Sequence, residues 1–109
     1  MDLNSIYLDR FVAIDVETTG LDFKTDEIIE VSAVKYEFGK VVDSFTKLVK
    51  PNKLIPPFIT NLTGIKNSDV LNEKVFLDIA SDFVSFIDNL PLVGHNIDFD
   101  LKFLHNSFN

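Results

Sequence analysis

The stretch Asp15-Val16-Glu17-Thr18-Thr19-Gly20-Leu21-Asp22 follows a short apolar run, Phe11-Val12-Ala13-Ile14. Alternate side chains of a strand share one face, so we expect Asp15 and Glu17 to point the same way at the end of a buried strand. Two carboxylates in an apolar setting repel each other and lose hydration. The motif itself contains no Lys or Arg. A hard divalent cation, Mg²⁺ or Mn²⁺, is the simplest compensation because such ions prefer oxygen ligands.

Composition and charge limit the possible classes of protein. The chain has 109 residues, 46% hydrophobic with 11 Phe, which suits one small domain with a packed core. It has no apolar run of about 18 residues, no signal-peptide pattern and no Cys, so we expect a cytoplasmic protein without membrane contact. The net charge of −7 argues against a basic surface that coats nucleic acid. A cleft in which metal ions meet phosphates remains compatible with an acidic protein.

Hydrophobic periodicity predicts a meander of strands followed by a helix, a strand and a final helix, which together form an α/β fold with helices packed on a mixed sheet. Within the final helix we expect Phe99, Leu101, Phe103 and Leu104 to be buried. That helix has no clear cap at its end, so we expect the fold to be incomplete at its C-terminal end. The predicted strands are 10–15, 27–38, 41–49 and 92–93, with a hairpin turn at Gly39-Lys40; the predicted helices are 58–63 followed by Gly64, a turn capped within Asn67-Ser68-Asp69, 75–90 and 98–108.

Three ordered motifs resemble the DEDD exonucleases, of the His-containing DEDDh type. They are DVETTGL (Asp15–Leu21), IPPFITNLTGI (Ile55–Ile65) and LVGHNIDFDLKFL (Leu92–Leu104). The group they resemble most is the proofreading 3′–5′ exonuclease of bacterial DNA polymerase III, the epsilon-subunit type. The resemblance implies a ribonuclease H-like fold in 10–109, after an N-terminal extension at 1–9. It also implies phosphodiester hydrolysis at the 3′ end of DNA, most simply single-stranded DNA, with a DNA polymerase as a possible partner.

The resemblance also implies roles for individual residues. The acidic residues of the first two motifs would be catalytic and would hold the two metal ions, and neighbouring residues would contact the terminal nucleotide. The catalytic and metal-binding residues are Asp15, Glu17 and Asp100; the substrate-binding residues are Thr18, Thr19, Leu62 and Thr63.

One part of the family pattern is missing from these residues. The third motif of the family supplies a His that activates water and an Asp five positions later, and no such segment follows the final helix. His95 and Asp100 have that spacing, but they belong to the second motif, so we expect His95 to be structural. Loss of a general base costs about 10²–10⁴-fold in rate, so we expect these 109 residues alone to be nearly inactive.

Other interpretations stay open at this point. Asp15 and Glu17 could be a solvated strand end, Thr18 and Thr19 could only shape the turn, and we expect Asp26 and Glu27 to be a solvated loop pair. The chain could be a non-catalytic module that binds a nucleic-acid end or a polymerase, or a relative that trims RNA. Apolar surface left bare by an incomplete fold predicts a homo-oligomer.

Overall fold

The computed structural model describes residues 9–109, which form a four-stranded mixed sheet with helices on both faces. The sheet order is β3-β2-β1-β4, with β1–β2 and β2–β3 antiparallel and β1–β4 parallel. The predicted α/β architecture is therefore confirmed. The predicted extension, 1–9, lies outside the described residues except for Asp9. The elements are β1 (Arg10–Thr18), β2 (Ile28–Glu37), β3 (Lys40–Leu48), α1 (Pro57–Thr63), α2 (Asn67–Val70), α3 (Phe76–Ile87), β4 (Leu92–Val93) and α4 (Ile97–Ser107).

β1 has the alternation of a strand with one fully buried face. Val12, Ile14 and Val16 are at most 5% exposed and join the main core. Asp15 and Glu17 lie on the opposite face, as predicted from the strand period. The strand is longer than predicted: it continues to Thr18 because β2 keeps pairing with it past a register shift at Glu17/Thr18.

Each face of the sheet carries its own apolar cluster. On the face of Val12, the main core contains Phe83 of α3 and Phe103 of α4, each 1% exposed. On the other face, a smaller cluster joins Ile29 of β2 and Leu48 of β3 to α1 and α2. Its helical and loop members are Ile55, Ile59, Ile65 and Val70.

The hairpin between β2 and β3 turns one residue earlier than predicted. Glu37 pairs with Lys40, so the two turn residues are Phe38 and Gly39, with φ of 52° and 80°. Positive φ at both positions matches the twist of the flanking strands. The predicted turn at Gly39-Lys40 was wrong by one position because Phe38 is an unusual residue for this backbone conformation.

The helices agree with the predictions in kind and differ at their ends. Gly64 ends α1 with φ of 80°, as predicted, and its N–H donates to the Thr60 carbonyl at 2.8 Å. α3 ends at Ile87 rather than 90, because Asp88 leaves the helical region with φ of 51°. Leu101 of α4 is 41% exposed, so the prediction that it is buried was wrong.

α2 is capped by Asp69, whose Oδ2 accepts the Lys66 N–H at 2.8 Å. Asn67 does not cap this helix: its side chain accepts the Ile55 N–H at 2.7 Å and donates to the Ile55 carbonyl at 3.3 Å. None of the helices in the described part of the chain is long and apolar enough to span a bilayer.

Candidate active site

The parallel pairing of β4 with β1 brings Asp100 to the acidic strand. Val93 pairs with Ala13, so the chain that leaves β4 runs beside the part of β1 that carries Asp15 and Glu17. Asp100 lies in the first turn of α4 and is 3% exposed. A Cβ at Gly94 would stand 3.1 Å from the Ile14 carbonyl oxygen and 3.3 Å from Asp100 Oδ2, so the absence of a side chain allows this close approach.

The three acidic residues predicted as ligands lie within electrostatic reach of one another. Burial raises the pKa of Asp100 to about 6, and the charges of Asp15 and Glu17 add to the effect. Burial also raises the pKa of Glu17, again with a contribution from Asp15. Anionic oxygen donors held in this way are the ligands that Mg²⁺ and Mn²⁺ prefer. The chemistry of the donor set therefore fits a divalent cation.

Proximity of charge is not the same as a finished coordination shell. Across 9–109, no three His, Cys, Asp or Glu side chains are grouped closely enough to hold a metal ion. The charges of Asp15 and Glu17 each contribute to the raised pKa of Asp100. These carboxylates are thus near enough to repel each other without already having the geometry of ligands, and the predicted metal-binding roles stay predictions.

A fourth carboxylate, Glu30, was missed by the sequence analysis. It pairs directly with Glu17 across β1 and β2, and the same face carries both side chains. Burial raises the pKa of Glu30, and the charge of Asp15 adds to the shift. The strand period predicts that Glu30 and Ser32 share a face, but only the register of the two strands places Glu30 opposite Glu17.

Thr18 and Thr19 are buried and their hydroxyl groups have partners inside the loop. Thr18 Oγ1 donates to the Gly20 carbonyl at 2.5 Å. Thr19 Oγ1 donates to Asp26 Oδ1 at 3.1 Å and accepts the Glu27 N–H at 3.0 Å. Both residues therefore shape the turn, which was the alternative left open, and their predicted contact with substrate stays a prediction.

The expectation that Asp26 and Glu27 form a solvated loop pair was wrong. Asp26 accepts hydrogen bonds from Lys53 Nζ at 2.8 Å and from the Asp22 N–H at 3.0 Å, and the Lys53 bond keeps the pKa of Asp26 below its ordinary value. Both Glu27 carboxylate oxygens accept the Asn52 N–H, at 3.1 and 3.0 Å. Sequence reasoning missed these contacts because the partners Asn52 and Lys53 are distant in the chain.

The predicted substrate-binding residues of α1 lie on the sheet face that carries Glu30, because Leu48, the partner of Glu30 in β3, packs against the α1 cluster. Leu62 is 79% exposed and presents apolar surface, whereas the Thr63 hydroxyl donates to the Ile59 carbonyl at 2.8 Å. His95 is exposed at the turn before α4 and contributes to neither apolar cluster.

The parallel pairing of β4 with β1 places the acidic residue of α4 near those of β1. A model of the exonuclease family matches residues 12–109, and the chain belongs to this family. This confirms the resemblance drawn from the three motifs.

Two curated relatives are similar to most of this chain. The chain is 48% identical over 96 residues to the 3′–5′ exonuclease DinG of Bacillus subtilis, covering 87% of this chain and 10% of DinG. It is 39% identical over 95 residues to the DNA polymerase III subunit epsilon of Treponema pallidum, covering 87% of this chain and 44% of that subunit. The chain thus spans less than half the length of either relative.

The fold is shared with a solved structure, the nuclease domain of 3′hExo, a DEDDh family member bound to rAMP. The TM-score is 0.79 at 24% identity, and the match covers 94% of this chain and 59% of the other. The predicted ribonuclease H-like fold is confirmed.

Proposed function

We propose that this chain is a metal-dependent 3′–5′ exonuclease domain that hydrolyses phosphodiester bonds at the 3′ end of DNA. The observation that carries the proposal is that Asp100 lies beside the strand that carries Asp15 and Glu17, in a chain that belongs to the exonuclease family. The epsilon relative supports DNA as the polymer, a proofreading role and a polymerase as partner. The proposed location is the cytoplasm, with which the lack of Cys is compatible.

The carboxylates are the groups that would hold the metal ions. Burial, and then the charges of Asp15 and Glu17, raise the pKa of Asp100, so a bound cation would offset the cost of ionising this group. When bound, two divalent cations would supply a more acidic water and neutralise charge on the phosphate oxygens. The exposed Leu62 side chain would offer apolar contact to the terminal base.

The proton acceptor is the part of the machinery that these residues do not supply. The sequence contains one His five positions before an Asp, His95 before Asp100, and it lies in the second motif. We therefore expect binding of a 3′ end by this chain with turnover reduced about 10²–10⁴-fold.

A second candidate is a module that binds a nucleic-acid end or a polymerase without chemistry. The observation that favours it is that residues 9–109 contain no group of three His, Cys, Asp or Glu side chains that could hold a metal ion. RNA trimming is a further alternative. No described residue is assigned to contact a 2′-hydroxyl, the group that distinguishes RNA from DNA, so both polymers are tested. Light scattering would test the expected homo-oligomer.

The test measures binding of a 5′-labelled single-stranded DNA with a free 3′-hydroxyl, in Mn²⁺ and in EDTA, by fluorescence anisotropy. We expect binding in Mn²⁺ that is lost in EDTA, in Asp15→Ala and with a 3′-phosphate on the strand. Asp82→Asn, an exposed acidic position on α3, is the control and should bind normally. If the chain binds DNA equally with and without Mn²⁺, and Asp15→Ala does not change that binding, the exonuclease proposal is rejected in favour of the non-catalytic binding module. Adding an RNA strand of the same length compares the two polymers, and gel analysis of the Mn²⁺ samples measures turnover.

A further inference from the structure

We propose that Asp26 is a positioning residue that fixes the two sides of the 3′-end site relative to each other. The first side is the turn after β1, residues 18–22, and the second is α1 with Leu62. This role deepens the proposed function and rests on it. Asp26 is not among the predicted site residues, and it contacts one of them, Thr19, through the Thr19 hydroxyl group.

On the first side, one carboxyl group organises the turn. Asp26 Oδ1 accepts the Thr19 hydroxyl at 3.1 Å, and Oδ2 accepts the Asp22 N–H at 3.0 Å. The Asp26 N–H in turn donates to the Asp22 carbonyl at 2.7 Å. Both ends of the turn are thus bonded to the same residue, so the backbone between Thr19 and Asp22 has little freedom to shift.

On the second side, the same carboxyl group holds the segment that leads to α1. Lys53 Nζ donates to Asp26 Oδ1 at 2.8 Å and to the Thr25 carbonyl at 3.4 Å. Glu27 adds a parallel link through the Asn52 N–H, at 3.0 and 3.1 Å. Residues 52–53 therefore cannot move away from the turn without breaking bonds to two adjacent carboxylates.

The segment after Lys53 connects the Asp26 contacts with α1, which carries the exposed Leu62 side chain. Two residues later, Ile55 is 2% exposed and both its backbone groups are bonded to the Asn67 side chain. Pro56 and Pro57 follow and start α1 with restricted backbone angles. Hydrogen bonds and restricted backbone angles therefore connect Asp26 with the start of α1, the helix that carries Leu62.

The bonds of Asp26 inside the turn stabilise the fold, but stability is a poor explanation for its bond to Lys53. An exposed ion pair contributes little to folding, and the Lys53 side chain is 41% exposed. Misplacement of substrate-binding groups, in contrast, is costly: a displacement of about 1 Å reduces function on the order of 10²-fold. The geometry therefore favours a role for Asp26 in setting the affinity for the 3′ end of DNA.

The test separates nucleic-acid affinity from metal affinity. We compare Asp26→Asn and Lys53→Met with the matched control Lys50→Met, an exposed lysine in the same segment. For each protein we measure the Kd for a 3′-hydroxyl single-stranded DNA in Mn²⁺ by anisotropy, and the Kd for Mn²⁺ alone by calorimetry. We expect both test variants to bind DNA roughly 10–100-fold more weakly with Mn²⁺ affinity unchanged, and the control to lose at most about twofold.

The direction in which Asp26→Asn changes the DNA affinity separates a positioning effect from an effect of charge alone. Removing a negative charge by itself strengthens binding to a phosphate backbone, so weaker binding requires a geometric cause. If Asp26→Asn binds DNA as well as or better than the unchanged chain, the positioning role is overturned. If all variants lose Mn²⁺ and DNA affinity together, Asp26 only supports folding and the proposal is also overturned. If the unchanged chain shows no Mn²⁺-dependent binding of 3′ ends, the proposed function itself fails.

Discussion

The carboxyl group of Asp26 occupies the space that a side chain at Gly20 would need. A Cβ built on Gly20 would lie 2.6 Å from Asp26 Cγ, far inside any contact that real atoms make. Gly20 does not have a positive φ, unlike Gly39 and Gly64, so glycine is required there for space and not for backbone conformation. The turn after β1 and the Asp26 side chain therefore pack directly against each other.

Gly20→Ala should destabilise the chain by about 1–3 kcal/mol, because the new methyl group forces the Asp26 carboxylate out of its hydrogen bonds. The measurement is the urea midpoint, compared with Asp26→Ala and with the double variant. Since both single changes disrupt the same contacts, the double variant should lose less than the sum of the two. An unchanged midpoint for Gly20→Ala would contradict the packing described here.

Asp100 should make stability depend on pH in an identifiable direction. The pKa of Asp100 is about 6 in the folded chain against 3.8 for an ordinary Asp, so the folded state binds this proton more tightly. The stabilisation is complete below pH of about 4 and is lost as pH rises through about 6. Allowing for solvent screening, the loss is on the order of 2 kcal/mol.

Asp100→Asn removes this titration, so at pH 7.5 without metal the variant should melt at a higher temperature than the unchanged chain. The difference should shrink toward pH 4. Asp98→Asn is the control, since it removes the same charge from an exposed position on the same helix turn. Equal melting shifts for the two variants at pH 7.5 would mean that the Asp100 carboxyl is not under electrostatic strain.

Divalent cations should offset the stability that the chain loses when Asp100 ionises. At a Mn²⁺ concentration of about 100 times Kd, binding to the folded state alone contributes about 2.7 kcal/mol, measurable as a rise in Tm. Asp100→Asn and Asp15→Asn should lose the rise, and Asp98→Asn should keep it. A Tm that responds equally to Mn²⁺ in all four proteins would locate the ion elsewhere.

Phe38→Asn should stabilise the hairpin between β2 and β3. Phe38 has a φ of 52°, which costs a residue with a bulky side chain about 1 kcal/mol and which Asn tolerates. The side chain is 64% exposed, so little apolar burial is lost. Phe58→Asn, at a position also 64% exposed but inside α1, is the control and should not raise the urea midpoint. A lower midpoint for Phe38→Asn would show that its ring makes contacts that outweigh the strain.

Local sequence patterns were enough to predict the elements of the fold. The apolar run from Phe11 to Ile14 predicted β1, and the period of a strand predicted the shared face of Asp15 and Glu17, because both are properties of neighbouring residues. The order of three motifs predicted the family, and with it the place of Asp100. The errors in element boundaries included one turn and one helix end, where Phe38 and Asp88 adopt positive φ that their residue types do not favour.

The sequence by itself determined the α/β class, the family and the acidic residues of the first two motifs, since these depend on short-range periodicity and on ordered motifs. Only the tertiary structure decided which groups face each other. Strand register placed Glu30 opposite Glu17, burial in α4 raised the pKa of Asp100, and loop packing gave Asp26 its bond to Lys53. The reason is physical: hydrogen bonds and charge repulsion depend on distances of a few ångströms between residues far apart in the chain, which register and packing set.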